Sequence, residues 1–242
     1  MNKASPKTPL VLLSGLLCDR FMWQTIADQL GDIADITIFS FAGFNSISEM
    51  ADHVLANSPG HFALAGHSMG GRVALEVIAK AASRVNQLAL LNTGVHPRRE
   101  AEVPGRQRLL DLSINKGMAA VADTWLAPMM SPTGLANSAL MQQLKQMVLR
   151  HTAQDFDGQI QALLTRPNAE AVLPFIQVPT LLMSGTEDKW SPISQHKEIQ
   201  KHISGSQLVT LEGAGHMSTV ETPEAISRAF RQWLTTPTET KI

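Results

Sequence analysis

The chain has 242 residues, 44% hydrophobic and 17% charged, enough to bury the core of one α/β domain. Its formal net charge of -1 gives no electrostatic footing for nucleic acid or an anionic membrane surface. One cysteine, Cys18, excludes an internal disulfide and fits a reducing, cytoplasmic setting, and no apolar run approaches the ~18 residues of a membrane span.

Lys3 and Lys7 precede the apolar run Leu10–Leu17, which looks like a short secretory leader ending on Cys18. Leu17 is bulky where a cleavage site needs a small residue, and Asp19, Arg20 and Phe21 follow, so the run reads better as a core strand. Leu10–Ser14 is then the first of six short apolar runs. The others are Ile36–Phe39, Phe62–Ala65, Gln87–Leu91, Thr180–Met183 and Gln207–Leu211. Apolar throughout and four to six residues long, they predict parallel strands covered on both faces. Helical spacing falls between them over Arg20–Leu30, Ile47–Leu55 and Met69–Ala82, and after the last over Glu221–Trp233. The alternation implies βα units around a sheet of about six strands, with helices on both faces.

Between His96 and Leu173 the alternation breaks. Helical patterns over Pro104–Ile114, Gly117–Leu126, Ala136–His151 and Phe156–Leu163 follow one another without a strand, punctuated by Pro128, Pro132 and Pro167. This predicts a helical cap over residues 96–173, inserted into a core made of 1–95 and 174–242. The polar tail Thr235–Ile242 is expected to fray.

His61–Gly71 reads HFALAGHSMGG, a G-x-S-x-G pattern between a strand and a helix. Such a turn strains the serine, needs glycines where backbones approach, and aims a helix N-terminus at the reacting oxygen. A bare five-residue match arises by chance in roughly one chain in ten of this size, so the partners decide. A serine nucleophile needs a base, and the base needs an orienting carboxylate. Asp188 stands just past the strand at Thr180, with Glu187 as the alternative acid, and His216 follows the strand at Gln207 in the loop Gly213-Ala214-Gly215. Ser68, Asp188 and His216 therefore emerge at one sheet edge, where open α/β sheets bind ligands. The other histidines sit on helices, in the inserted segment or before a strand, and His67, beside Ser68, is expected to point away from it. The N–H groups of Met69 and Leu16 are the candidate oxyanion donors, with Leu17 as the fallback. Cys18 reads as buried packing.

LLSGLLCDRFMW, FAGFNS, GHSMGG, GTEDKWSP and GAGHMS together resemble motifs of the α/β-hydrolase superfamily, across about residues 10–95 and 175–234. The likeness is greatest to the group that includes enol-lactonases, carboxylesterases and the pimeloyl-carrier-protein methyl ester esterase. It implies a Ser-His-Asp hydrolase of a small ester, lactone or thioester. Ser14 stands where that family commonly has histidine, implying one loop hydrogen bond fewer, and the short start implies a sheet without the usual antiparallel hairpin. A serine at position 68 departs from the aspartate nucleophile of related dehalogenases and epoxide hydrolases, and the chain has no tyrosine to activate an epoxide. No metal-ligand cluster or phosphate-cradling loop occurs in the sequence, so no cofactor is expected.

The expected partner is a small-molecule ester. A lyase or carbon–carbon bond hydrolase using the same three residues remains the alternative chemistry, and a non-enzymatic binding protein the alternative class. Met118, Met129, Met130, Met141 and Met147 in the inserted segment could line an acyl pocket, though simple packing explains them as well. Arg98, Arg99, Arg106 and Arg108 could meet an anionic substrate, although a solvated helix face is the plainer reading.

Overall fold

The computed structural model describes residues 6–236. Lys3, and the tail beyond Thr236, lie outside the described residues. Six strands form one parallel sheet: β1 (Thr8–Leu13), β2 (Ala34–Phe39), β3 (Phe62–His67), β4 (Val85–Leu91), β5 (Thr180–Gly185) and β6 (Gln207–Leu211), in the order β2-β1-β3-β4-β5-β6. The run Leu10–Leu13 is thus spent as a central strand, hydrogen-bonded on both sides. No antiparallel hairpin occurs among the described residues, as expected.

Only β3 and β5 are buried along their whole length. The expectation that every strand is covered on both faces fails at the two edges: β2 exposes Asp35 and Thr37, and β6 exposes Gln207 and Thr210. Each edge strand has one neighbour, and its outer positions meet solvent. The sequence runs there were in fact mixed apolar and polar.

The chain steps one way from β1 to β2, then crosses back to β3 and continues in that direction to β6. Right-handed crossovers then place helices on opposite faces. Accordingly α1 (Gln24–Leu30) packs on α10 (Pro223–Leu234), whereas α2 (Ile47–Ala56) packs on α3 (Met69–Ala81) and α8 (Ile193–His202) covers β5 and β6. Trp23 and Phe230 stack between α1 and α10, with ring centroids 6.4 Å apart. Each fully buried side chain of this size contributes about 1.5–3 kcal/mol. The reversal between β1 and β3 opens a crevice at their C-terminal ends.

Between β4 and β5 the described chain is wholly helical or irregular: α4 (Val103–Trp125), α5 (Pro132–Ala136), α6 (Ser138–Leu149) and α7 (Ala153–Leu164). Gly117, with φ 78°, breaks α4 at the boundary expected between two helical patterns. The helix expected over Ala136–His151 starts at Ser138 because Asn137 caps the Leu140 N–H with its side chain, and the short α5 before it was not expected. Thr152 and Asp155 cap α7 reciprocally. The first turn of the predicted Arg20–Leu30 helix is 3-10, and Thr222 alone separates α9 (Ser218–Glu221) from Pro223, which opens α10.

Candidate active site

β3 delivers the chain into a turn in which Ser68 has φ 55° and ψ -115°, outside the regions a serine prefers. The turn is held by sterics. A Cβ on Gly66 would collide with the Gly70 carbonyl, and one on Gly70 with the Leu13 carbonyl of the neighbouring strand. Ser68 N–H donates to Leu91 O of β4 at 2.9 Å, and Ser68 O accepts from Thr93 Oγ1 at 2.7 Å. Ser68 is therefore pinned from both sides while its side chain remains half-exposed.

The other two predicted side chains converge on it. His216 Nε2 lies 2.9 Å from Ser68 Oγ, and His216 Nδ1 lies 2.9 Å from Asp188 Oδ2. Asp188 is buried and His216 is 5% exposed. Each Asp188 oxygen is fully engaged: Oδ1 accepts the Trp190 and Ser191 N–H groups, and Oδ2 accepts Asn92 Nδ2 at 2.8 Å besides His216. Burial alone would raise this carboxyl, but the facing His216 and the hydrogen bonds from His216, Asn92 and the Ser191 N–H outweigh it and hold it well below the usual carboxylate range. Glu187, the alternative acid, faces solvent.

Several contributors were not read from sequence. Asn92 follows β4 directly with φ 48°, its amide donates to Asp188 and to Gly215 O, and Ser218 donates to its oxygen. His67 does not simply turn away: its buried Nε2 sits 2.7 Å from the backbone carbonyl of His216, which makes it a donor to that oxygen. Burial, with His216 adjacent, pushes the His67 imidazole down to about 3 and keeps it neutral. Met129 O, in the segment between β4 and β5, accepts the His216 N–H at 2.7 Å, and Glu221 bridges the N–H groups of Gly215 and Ser131. The only sequence cue was the position of Asn92 at a strand end.

The candidate oxyanion donors also meet here. Met69 opens α3, so its N–H has no acceptor inside the helix. Leu17, with φ 54°, gives its N–H to Gln159 Oε1 at 2.8 Å, which removes the fallback donor and leaves the Leu16 N–H. Gln159 is fully buried on α7, and its Nε2 donates to Phe41 O at 3.0 Å. Despite the expected loss of a hydrogen bond, Ser14 Oγ donates to Asp19 O at 3.3 Å within the same loop. Cys18 is buried, its thiol pushed up by desolvation.

Ser68, His216, Leu16 and Met69 open into a cavity of about 400 Å³. Leu109, Trp125, Met129, Ile160 and Leu163 of the helical segment form its apolar wall. Of the five methionines singled out there, only Met129 lines it. The site offers a hydroxyl hydrogen-bonded to an imidazole, with Leu16 and Met69 lining the same cavity. Such a set can carry out nucleophilic attack on a carbonyl.

The sequence profile of the alpha/beta hydrolase family matches residues 10–229. The pimeloyl-acyl-carrier protein methyl ester esterase of Neisseria meningitidis is 27% identical over 213 residues, 80% of this chain and 77% of that protein. A thermophilic esterase from Thermogutta terrifontis superimposes with a TM-score of 0.84 at 25% identity, covering 94% of this chain and 89% of that one. The enol-lactonase from Burkholderia xenovorans shares the fold, with a TM-score of 0.86 at 21% identity over 97% of this chain and 94% of that one. With a strained serine turn at the crevice of a parallel sheet and a profile match over most of its length, the chain belongs to the alpha/beta hydrolase family.

Proposed function

We propose that the chain is a serine esterase acting on a small carboxylic ester, lactone or thioester through an acyl-enzyme. Ser68 Oγ attacks the carbonyl carbon as His216 Nε2 takes its proton, and Asp188 holds the Nδ1–H tautomer. The Leu16 and Met69 N–H groups stabilise the oxyanion. His216 returns the proton to the leaving alcohol, and water then attacks the acyl carbonyl with His216 again as base. The continuous relay of 2.9 Å contacts from Ser68 through His216 to Asp188 carries this reading. Because the imidazole must be neutral to act as base, turnover falls as acid protonates it. Residues 96–173 act as a cap whose apolar wall selects the acyl group. A cytoplasmic setting suits the one cysteine, held as a buried thiol, and no helix among the described residues is long and apolar enough to cross a membrane.

A panel of p-nitrophenyl esters tests the proposal. Hydrolysis by the wild-type protein should fall by about 10⁴-fold or more in Ser68→Ala. Silence towards every ester and thioester would contradict it and favour lyase or carbon–carbon bond cleavage.

A further inference from the structure

The apolar wall is only half of the cavity. Arg72, Arg99 and Arg106 also line it, against a single carboxylate, Glu102. That carboxylate is already spoken for. Arg166, buried outside the cavity lining, grips Glu102 with Nη2 to Oε1 at 2.6 Å and Nη1 to Oε2 at 3.0 Å. Its remaining N–H groups reach His96 O, Leu163 O and Pro97 O, so all five donors of Arg166 are used. The Glu102 carboxyl is held down to about 2, burial being outweighed by Arg166, the Arg99 N–H and Arg106.

Arg72 and Arg106 are treated differently. Arg72 lies on the first turn of α3, and its one hydrogen bond among the described residues is Nη1 to His96 O at 2.9 Å. No carboxylate among the described residues pairs with it. Arg106 has one long bond, Nη2 to Glu102 Oε2 at 3.2 Å, and its buried Nε has no partner among the described residues. Burial, together with the neighbouring Arg166, Arg106 and Arg99, pushes the Arg72 guanidinium below its ordinary range, opposed by Glu102. His96 beside them is also lowered, to about 4, by burial and by Arg72 and Arg99, so at neutral pH it adds no charge. Two guanidiniums with unspent donors therefore face the same space as Ser68. A planar oxyanion would satisfy both the donors and the charge.

We propose that Arg72 and Arg106 form a subsite for a carboxylate carried by the substrate, so that the preferred ester is anionic at a second position. This deepens the esterase reading and rests on it for the reaction, but not for the binding. Ser68 stands just before α3 and Arg72 on its first turn, and both line the same cavity. A chain of a few carbons then separates the reacting carbonyl from the charge. Arg98 and Arg108, by contrast, are exposed and do not line the cavity, as a solvated face predicts.

Two measurements separate this inference from the reaction itself. In the first, kcat/KM is compared for esters matched in length but not in charge. One arm sets the p-nitrophenyl monoester of glutarate against p-nitrophenyl pentanoate. The other sets the butanoate ester of 4-hydroxybutanoate against butyl butanoate. A charged-to-neutral ratio of at least tenfold in either arm supports the subsite and says which side of the ester bears the anion. The ratio should drop at least fivefold in both Arg72→Gln and Arg106→Gln, and because it is a ratio, a general loss of turnover cancels. Ratios of one or less in both arms, or ratios untouched by both variants, would overturn it. In the second, calorimetry follows glutarate binding to the wild-type protein and to each variant whose thermal melt shows it folded. Binding that weakens at least fivefold in the variants supports the subsite even if no ester is hydrolysed, a result that would count against the esterase reading alone. No binding of glutarate to the wild-type protein, with no charge preference, overturns the subsite and leaves that reading standing.

Discussion

Along the C-terminal edge of the sheet, the reacting groups are held by contacts that leave almost no freedom. Ser68 is fixed by Gly66, Gly70, Leu91 O and Thr93, and Asp188 has both oxygens fully hydrogen-bonded. In the helical segment between β4 and β5 the cavity wall is built from side chains on helices interrupted at Gly117 and Asn137, with Ile114 exposed just before the first break. The proposed mechanism thus rests its reaction geometry on strand ends, where tenths of an ångström matter, and its shape and charge on helices. Among the stitches that join the two regions are Gln159 to Leu17, Met129 to His216 and Glu221 to Ser131.

Changes at the sheet edge should therefore act on turnover. Asp188→Asn keeps the shape but offers His216 the wrong tautomer partner, and kcat should fall about 10³- to 10⁴-fold with little change in KM. A loss below about tenfold would mean that Asp188 is only structural. Gly66→Ala places a methyl group against the Gly70 carbonyl, so urea unfolding should show a loss of about 1–3 kcal/mol or more, along with activity. An unchanged midpoint would show that the turn can relax, contrary to the rigidity inferred here.

The stitches sharpen the comparison. Gln159→Leu strands the buried Leu17 N–H and takes from Phe41 O one of its two donors, a cost of about 1–3 kcal/mol by denaturant titration. It should also lower kcat by loosening the loop that carries the Leu16 N–H. Loss of stability with kcat intact would separate that loop from the chemistry.

His67 gives the smallest effect. Its imidazole is pushed down to about 3 in the fold, whereas in the unfolded chain it titrates near the ordinary ~6.5. Between those values the unfolded chain takes up a proton that the folded one refuses, so stability falls as pH drops below ~6.5. This group alone contributes a slope of up to about 1.4 kcal/mol per pH unit. His67→Gln should flatten the slope between pH 6 and 5, and an unaltered slope would contradict the neutral, buried state.

The strands and the serine turn were legible because apolar runs and glycine spacing are local signals. Ser68, Asp188 and His216 were legible because chain order and strand ends place them at one edge. Asn92, Gln159 and Glu221 were not, since each acts across 90 to 142 residues through hydrogen bonds that leave no periodic trace. Arg106 was read with its exposed neighbours Arg98 and Arg108 as a solvated face. Its partial burial depends on how α4 lies against Arg166 and Glu102, which sequence spacing does not express. The same holds for β2 and β6, whose place at the sheet edges is set by topology.

Labelling with a fluorophosphonate, followed by peptide mass spectrometry, tests the central assignment most directly. The account predicts a single stoichiometric adduct on Ser68, formed fastest at neutral to mildly alkaline pH, slowed at least a hundredfold in His216→Ala and absent in Ser68→Ala. A folded wild-type protein that takes up no label, or takes it up at another residue, would contradict Ser68 as the nucleophile activated by His216.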